Sequence, residues 1–307
     1  MNEQEVLEKI PDIFRQGSDI VAGPGDDCAV LDIGLDKLFL IAADQVVSGV
    51  HYDSKTTSPE QAAAKLLKRN ISDIAAMGGI PAHAVMTMAL SPHTASGSTW
   101  ITRFLEGLAS EADKWGISVC GGDISSSGSG STDIFSLTIT GMAEKECLCL
   151  RSNAEEGDIL FTTGCFGNSY ASGHHITFTP RLDEARFLAG KYTSAMIDIS
   201  DGLIADAAKF AEKSGVSFMV DTAAVPPRDG AALREALTDG EDYELLFAVP
   251  PAKAGELSDK WPFEETPLTR IGSVTAGKSG LITDTDGETL LPQANAVSAG
   301  YVHFPGT

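Results

Sequence analysis

Acidic residues at the ends of apolar runs are the feature of this sequence that most restricts its fold, because they recur in both halves of the chain. Each occurs in a short segment that also carries small or turn-forming residues. The six segments are 23–27, 42–44, 70–73, 121–123, 198–202 and 240–244. Glycine lets the backbone approach a ligand closely, and binding residues concentrate at the ends of strands and in loops. A fold that brings these segments together would therefore build an acidic site.

Carboxylates brought together in this way need a cation. Two of them ~5 Å apart repel by about 3 kcal/mol at an effective dielectric constant near 20, and the crowding raises their pKa values. All-oxygen acidic sites select hard cations such as Mg²⁺, which usually arrives with the phosphates of a substrate. The segments therefore predict Mg²⁺-assisted chemistry on phosphates.

The overall charge agrees with this prediction. The formal net charge is −21, from 43 acidic and 22 basic side chains. Such a surface repels nucleic acid and anionic membranes, so we expect neither as a partner, and it would accept a nucleotide only through intervening metal ions. No apolar run approaches the roughly 18 residues of a membrane span, and residues 1–5 do not resemble a signal peptide. We expect a cytoplasmic protein whose five cysteines are reduced thiols.

Each acid also has a simpler structural explanation. A single Asp-Gly or Gly-Asp pair is more often a turn than a ligand, and Asp201 could cap the helix that follows it. Asp73 fits this explanation less well, because it lies late in an Ala-rich helix, where an acid opposes the helix dipole. Six such segments favour a site, but spacing alone leaves their convergence open.

Hydrophobic periodicity predicts strands and helices in both halves without a regular βαβ alternation, which favours a two-domain α+β fold. The clearest element is a helix that begins after Ser58 and ends near Met77, where two glycines follow. The turn-rich stretch 151–157 predicts a boundary between an N-terminal mixed sheet with helices (1–150) and a C-terminal α/β sandwich (151–307). Strands are also predicted at 38–42, 83–90, 117–120, 135–142, 158–163, 217–220 and 243–249, helices at 5–14, 100–115, 201–213 and 230–237, and a mobile loop at 125–131.

Residues 272–279, Gly-Ser-Val-Thr-Ala-Gly-Lys-Ser, match the P-loop pattern G-x₄-G-K-S. That pattern binds phosphate only when a strand precedes it and a helix opens at the Lys-Ser pair. A strand is predicted at 267–271, but Gly280 follows the match at once and 281–283 alternate like a second strand. We therefore interpret the match as a β-hairpin and not as a nucleotide site.

Five of the acidic segments, all except 42–44, together with Ser-Gly-Val-His-Tyr at 48–52, resemble in sequence and order the motifs of thiamine-monophosphate kinases. The resemblance runs from about residue 3 to 304, and its most specific parts are Ser-Asp-Ile-Ala-Ala-Met-Gly (72–78) and Gly-Glu-Asp-Tyr-Glu-Leu (240–245). It implies a homodimer joined through the N-terminal sheets, with ATP bound near that interface. It also implies direct in-line transfer from ATP to thiamine monophosphate, carried by metal ions and positioning and without a catalytic side chain.

The resemblance also assigns roles to individual residues. The implied Mg²⁺ ligands are Asp27, Ala42, Ala43, Asp44, Asp73, Asp123, Asp198 and Asp201, with the alanines acting through their carbonyls. The implied nucleotide contacts are Gly122, Asp123, Arg151 and Ser200. The implied contacts to thiamine monophosphate are His51, Glu241 and Tyr301.

Two segments depart from the family pattern. Ala42 and Ala43 stand where hydroxyl residues are common, which removes a side-chain ligand from one metal site. Segment 173–180 is shorter than usual and carries His174 and His175, for which we favour a loop or strand role over metal binding, because neighbours on a strand point to opposite sides. Two alternatives remain open at this point: another phosphotransferase of the same superfamily, or a homologue that binds metal or thiamine phosphates without turnover.

Overall fold

Two six-stranded sheets, one in each half of the chain, organise the fold. A computed structural model describes residues 9–14, 16–96, 98–128 and 132–290. Helices and strands are mixed in both halves. The predicted two-domain α+β architecture is therefore confirmed.

The N-terminal half carries the first sheet. Its strands are β1 (Ile20–Ala22), β2 (Ala29–Leu31), β3 (Lys37–Val47), β4 (Ile80–Leu90), β5 (Ser118–Ser126) and β6 (Ile134–Glu144). Its helices are α1 (Ile10–Ile13), α2 (Pro59–Ala76), α3 (Pro92–Ser96) and α4 (Ser98–Trp115), and 3₁₀ turns follow at Lys145–Cys147 and Arg151–Asn153. The strand order is β1-β2-β3-β6-β4-β5, and every neighbouring pair is antiparallel except the parallel pair β4–β5.

Helices cover one face of this sheet. On β6, buried residues such as Phe135, Leu137 and Ile139 alternate with partly exposed ones, and the buried set joins a core with apolar residues of α2 and α4. This alternation is typical of an antiparallel sheet packed on one side. On β4, Ile80 and Val85 are 45% and 43% exposed. The first sheet therefore keeps an apolar surface open to another molecule.

The capping residues explain why α2 begins where it does. The Ser58 hydroxyl accepts a hydrogen bond from the Gln61 amide (3.2 Å), and the Ser58 amide donates to the Gln61 side chain (2.9 Å). This reciprocal capping box satisfies two backbone donors at the start of the helix. The helix predicted from Ser58 is thus confirmed, to within a residue at its end.

The C-terminal half carries the second sheet. Its strands are β7 (Ile159–Thr163), β8 (Ala195–Asp198), β9 (Ser217–Val220), β10 (Leu245–Val249), β11 (Leu268–Thr275) and β12 (Ile282–Thr283). Its helices are α5 (His174–Thr177), α6 (Leu182–Leu188), α7 (Leu203–Ser214), α8 (Leu233–Thr238) and α9 (Pro251–Lys260). The strand order is β12-β9-β11-β7-β10-β8.

Both faces of the second sheet are covered. One face packs on a core that includes α7 and α8, and the other on a core that includes α6 and α9. All five residues of β10, Leu-Leu-Phe-Ala-Val, are consequently buried, which explains an unbroken apolar run in the sequence. Ala75 and Ala76, at the end of α2, belong to the second of these cores. Helix α2 therefore packs on the first sheet and on the C-terminal half, and it joins the two.

Three local predictions are wrong. Strand β12 pairs in parallel with β9, which lies between β11 and β12, so the segment after the P-loop match is not a hairpin. Segment 173–180 contains the single helical turn α5, entered through Gly173 in the left-handed region (φ 77°). Ser125 and Ser126, predicted to be in a mobile loop, pair with β4 as the end of β5. The pairing partners of β12 and of the end of β5, namely β9 and β4, are distant in sequence, so local patterns do not reveal them.

The remaining predicted strands and helices are present, with bounds that differ by a few residues. Of the opening helix predicted at 5–14, only the part from residue 9 lies within the described residues, where it is α1. Within the described ranges, no helix combines the length and the apolar character needed to cross a membrane.

Candidate active site

One face of α2 carries a row of charged side chains. Lys65, Arg69 and Asp73 are four residues apart, so they follow one another along the same side of the helix. Lys65 contacts Glu241 of the C-terminal half, and Arg69 contacts Asp44 on β3. The helix thus supplies a row of charges at the junction between the two halves.

The sequence Asn-Ile-Ser-Asp (70–73) connects α2 to three segments of the site. The buried Asn70 side chain accepts a hydrogen bond from the Asp44 amide (3.2 Å). The Ser72 hydroxyl donates to a carboxylate oxygen of Asp198 (2.6 Å). Asp73 itself points into an acidic cluster. Asn70 and Ser72 are buried, and each has a hydrogen-bond partner on a different element, as buried polar groups require.

The acidic cluster consists of Asp27, Asp73 and Asp198. One carboxylate oxygen from each lies within 4.8 Å of those from the other two. Asp27 directly precedes Cys28 and β2, Asp73 is on α2, and Asp198 ends β8. Three of the six predicted segments therefore converge, across 171 residues of sequence from position 27 to 198.

The cluster fits a magnesium ion. Mg²⁺ takes oxygen ligands at 2.0–2.1 Å in an octahedron, so ligands on opposite sides are about 4.2 Å apart. The three carboxylate oxygens span a similar distance. Burial and mutual repulsion, first from Asp44 and then from Asp198 and Asp27, raise the pKa of Asp73 well above its usual value. Burial and Asp27 likewise raise the pKa of Asp198. Carboxylates held in this way gain most from a divalent cation.

Arg151 anchors the segment that carries Asp27. Its guanidinium forms an ion pair with Asp27, through Nη2 and, at 3.3 Å, through Nε. Its backbone amide donates to both oxygens of Asp26 at 3.3–3.4 Å. Burial, followed by repulsion from Asp27, raises the pKa of Asp26 to about 6. Arg151 therefore lies beside the acidic cluster, where a side chain could also contact phosphate oxygens.

Asp44 lies next to the cluster and is paired with a cation. Its carboxylate accepts from Arg69 Nε (3.0 Å) and Nη2 (3.3 Å). The paired residues of β2 and β3 end with Ala29 opposite Ile41. If the same register continued, Cys28 would lie opposite Ala42, and Asp27 opposite Ala43. The two alanines thus lie on the edge of β3 that faces the Asp27 segment.

Asp201 and Ser200 lie at the entrance to α7. The Asp201 carboxylate pairs with Lys209 and does not cap the helix, whose N-cap is Gly202. Buried Asp206 accepts from the backbone amides of Ser200 (2.9 Å) and Asp201 (2.8 Å). The loop after Asp198 is therefore held by an acid one turn into the following helix.

Gly122 and Asp123 are on the edge strand β5. Asp123 is exposed. It pairs with Thr87 of β4, Thr87 pairs with Ser136 of β6, and Ser136 pairs with Gln45 of β3. Three strand spacings of about 4.8 Å place Asp123 roughly 14 Å from β3. It is not among the three converging acids. A side chain at Gly122 would collide with the Met86 carbonyl, because its Cβ would lie 1.6 Å from that oxygen.

Two of the residues predicted to contact thiamine monophosphate, His51 and Glu241, meet at Lys65. This lysine is fully buried, and its Nζ donates to Glu241 Oε2 and to the His51 carbonyl, both at 2.6 Å. Burial lowers the pKa of Lys65 to about 8, although Glu241 opposes that effect. The His51 ring accepts from the Val47 amide (3.0 Å). Tyr301 lies outside the described residues.

A cavity of about 800 Å³ opens beside this contact. Val50 and Tyr52, on either side of His51, line it, and so do Tyr170 and His175. The Tyr170 and His175 rings stack with their centroids 4.2 Å apart, and Lys65 Nζ is 5.8 Å from the Tyr170 centroid. The cavity therefore offers aromatic surface to a ring-bearing ligand next to the row of charges on α2.

The paired histidines do not form a metal site in this structure. His174 hydrogen-bonds through Nε2 to the Asp242 carbonyl (2.9 Å), and His175 through Nδ1 to the Ser169 carbonyl (2.9 Å). The preference against metal binding is consistent with these contacts, although the strand or loop geometry behind it was wrong.

The P-loop match also lacks the structure that phosphate binding requires. Gly272 lies within β11, whereas Lys278 and Ser279 lie in turns. The Ser279 hydroxyl donates to the Glu212 carbonyl (3.1 Å). No helix opens between Lys278 and β12, a stretch that the structure describes throughout. The predicted absence of a helix after the match is confirmed, and it supports the interpretation that the match is not a nucleotide site.

Sequence reasoning missed Lys65, Arg69 and Asp206. A signal for the first two was available, because charged residues four apart in an otherwise apolar helix indicate a functional face. Asp206 gave no such signal, since an acid in the first turn of a helix is common.

Comparisons with known proteins place this site in a family. The chain matches the model of the AIR synthase related protein N-terminal domain over residues 25–143 and that of the C-terminal domain over 153–284. It is 33% identical to the thiamine-monophosphate kinase of Rhodopirellula baltica, covering 98% of this chain and 97% of that protein. It is 31% identical to the Escherichia coli K12 thiamine-monophosphate kinase, covering 93% of each.

A solved structure agrees with these relatives. The structure described as AaThiL complexed with AMPPCP and TMP superposes with a TM-score of 0.82 at 27% identity, covering 99% of this chain and 97% of that one. The N-terminal family model covers Asp27 and Asp73, and the C-terminal family model covers Asp198. The chain belongs to the AIR synthase related family and, within it, to the thiamine-monophosphate kinases.

Proposed function

We propose that this protein transfers the γ-phosphoryl group of ATP to thiamine monophosphate, forming thiamine diphosphate and ADP. The observation that carries the proposal is the convergence of Asp27, Asp73 and Asp198 at α2, about two helical turns from Lys65 and the cavity beside it. Relatives named for this activity cover nearly the whole chain, and AaThiL was solved with AMPPCP, an ATP analogue, and TMP.

Asp27, Asp73 and Asp198 would hold Mg²⁺, with Asp44 and the carbonyls of Ala42 and Ala43 nearby. Bound there, Mg²⁺ would neutralise charge on the transferring phosphoryl group. Asp201 lies at the same loop and is proposed to serve a further ion. A cation held by these carboxylates would offset the repulsion between the negative protein and a polyanion.

Arg151 and Ser200 would contact the nucleotide from either side of the cluster. Arg151 already pairs with Asp27, and a phosphate oxygen is an equally good acceptor for its remaining donors. A nucleoside triphosphate is long enough to reach from the acidic cluster to β5, so Gly122 and Asp123 remain in the proposed nucleotide site.

The acceptor would bind with its rings in the cavity and its phosphate toward the cluster. His51, Glu241 and Tyr301 would position it, and Tyr170 offers an aromatic face for a ring. The proposed transfer is direct and in line, without a phosphoenzyme. The protein contributes orientation and charge.

We also propose that the protein acts as a cytoplasmic homodimer joined through the first sheet. The apolar residues exposed on that sheet, Ile80 and Val85 among them, favour burial against a second copy.

Release of ADP, followed with a coupled assay, tests the proposed function. The rate with ATP, Mg²⁺ and thiamine monophosphate should greatly exceed the rate when the monophosphate is omitted, and thiamine diphosphate should accumulate in equal amount. Binding of both ligands without turnover would identify a non-catalytic homologue. Turnover with a different phosphorylated acceptor would place the protein elsewhere in the superfamily.

A further inference from the structure

Lys65 is fully buried, and the proposed function assigns no role to its contacts. It lies in the middle of α2, and its Nζ bonds both Glu241 Oε2 and the His51 carbonyl at 2.6 Å. The three groups come from different segments, because His51 follows β3 and Glu241 lies 176 positions beyond Lys65. The Lys65 ammonium group thus links α2 to His51 and Glu241, the two predicted substrate contacts that lie within the described residues.

Stability alone is a poor reason for such an arrangement. Burying an ion pair costs desolvation that its attraction only partly returns, and apolar side chains of similar volume are often as stable. Neighbouring positions on the same helix, such as Leu66 and Leu67, are fully buried and apolar. A lysine at position 65 therefore points to a requirement other than packing.

The segment that carries Glu241 is held in an unusual backbone conformation. Glu241 and Tyr243 both have positive φ angles, 64° and 52°, which side-chain-bearing residues rarely adopt. Such conformations persist where the surroundings enforce them, and they concentrate at functional sites. The Glu241 amide is also fixed by the Ser200 carbonyl at 2.7 Å.

Each acid of this segment has its own cation. Asp242 pairs with Arg228 and Glu244 with Arg181, and both arginines belong to the C-terminal half. Glu241 alone among the three pairs with a cation of the N-terminal half, Lys65. The first two ion pairs fix the segment within its own domain, whereas the third fixes it relative to His51.

We propose that Lys65 is a positioning residue that holds Glu241 and the His51 backbone in the geometry that binds the phosphorylated acceptor. The proposal rests on the proposed function for the identity of that acceptor. It predicts an effect on the acceptor and little effect on ATP, because Arg69 and Asp73 continue to occupy the nucleotide end of the α2 row.

The test compares four proteins: wild type, Lys65→Met, Glu241→Gln and the double variant. Methionine keeps the length of the lysine and removes its charge. Lys65→Met should raise the KM for thiamine monophosphate at least tenfold and change the KM for ATP less than twofold. The double variant should be no worse than the worse single variant, because Lys65 acts through Glu241. Lys68→Met is the matched control, since Lys68 is on the same helix over the Phe178 ring, and its kinetics should stay at wild-type values.

Two further measurements keep the outcomes separate. Lys65→Met leaves Glu241 buried without its cation and could fail to fold. The double variant has no unpaired charge, so it should fold, and it should bind acceptor more weakly than Glu241→Gln because the His51 carbonyl has also lost its donor. Acceptor binding is also measured by calorimetry with AMPPCP present. Binding without turnover in wild type would reject the proposed function and still test Lys65. A lower melting temperature with an unchanged KM, multiplicative effects in the double variant, or wild type that binds no thiamine monophosphate would overturn the role of Lys65.

Discussion

The residues at the acidic cluster are arranged against the stability of the metal-free protein. Burial and neighbouring carboxylates raise the pKa values of Asp73 and Asp198, and they raise the pKa of Asp26 to about 6. Each is therefore harder to ionise in the folded chain than in the unfolded one. Sites that carry such a cost are usually retained for chemistry, here the binding of cations and phosphates.

This arrangement predicts a pH dependence for Asp26. Well below pH 3.8, the ordinary pKa of Asp, its carboxyl group is protonated in both the folded and the unfolded chain, so it has no differential effect. As pH rises from about 4 to 6 the unfolded chain loses this proton first, and wild type loses stability. Asp26→Asn should therefore gain on wild type across this window, by up to about 3 kcal/mol. Urea unfolding in EDTA at pH 4, 5, 6 and 7 measures the difference, with exposed Asp113→Asn as the control. A difference that does not change with pH would contradict the account.

The P-loop match gives a second prediction at this scale. Lys278→Ala should leave kcat and the KM for ATP within about twofold of wild type, since Lys278 lies in an exposed turn with no helix after it. A P-loop lysine contacts the β- and γ-phosphates, so loss of a functional one costs orders of magnitude in rate. A large fall in kcat with unchanged folding would show that the nucleotide binds there.

Single elements show what sequence could and could not predict. Helix α2 was predictable because its start depends on local chemistry, namely Ser58 and Gln61 three residues apart. Strand β12 was assigned the wrong partner, because its partner β9, which separates it from β11, is distant in sequence. Phe218 of β9 pairs with Ile282 of β12, which lies 64 positions later. The acids were recognised as a set from their motifs, whereas the contact between Lys65 and Glu241 depends on how the two halves pack. Local rules predict elements, and packing between distant segments decides the site.

The capping box of α2 can be tested without disturbing the acidic cluster, although Gln61 also lines the cavity. Ser58→Ala should lower the free energy of unfolding by about 1 kcal/mol, because the Gln61 amide loses its acceptor. The kcat should remain at the wild-type value, since Ser58 is at the opposite end of α2 from Asp73. Chemical denaturation and the ADP assay measure the two quantities, with Ser54→Ala as the control. Loss of activity with unchanged stability would contradict this assignment.

At the scale of the whole molecule, the two sheets differ in how they are covered, and this difference explains the proposed assembly. The second sheet has cores on both faces, whereas the first has helices on one face and exposed apolar residues such as Val85. The acidic cluster lies between the halves, where α2 meets β8. The fold thus leaves the first sheet open for self-association and builds the acidic cluster at the junction of the two halves.

The proposed dimer predicts different effects for two exposed apolar residues. Val85→Glu, on the first sheet, should shift the protein from dimer to monomer, because a charge would have to be buried. Leu233→Glu is the control: Leu233 is similarly exposed (48%) but lies on α8 of the C-terminal half. Sedimentation velocity measures both. A dimer that persists in Val85→Glu, or dissociates equally in Leu233→Glu, would contradict the proposed interface.

The central claim is that the converging acids hold Mg²⁺ for phosphoryl transfer, and Asp73→Asn tests it most directly. The substitution keeps the shape of the side chain and removes one negative charge from the cluster. Turnover at saturating ATP should fall at least ~10²-fold over a range of Mg²⁺ concentrations. In EDTA the melting temperature should hold or rise, since a repelled carboxylate has been removed, and the stabilisation that Mg²⁺ gives wild type should shrink. A variant with normal turnover and an unchanged response of the melting temperature to Mg²⁺ would contradict the account.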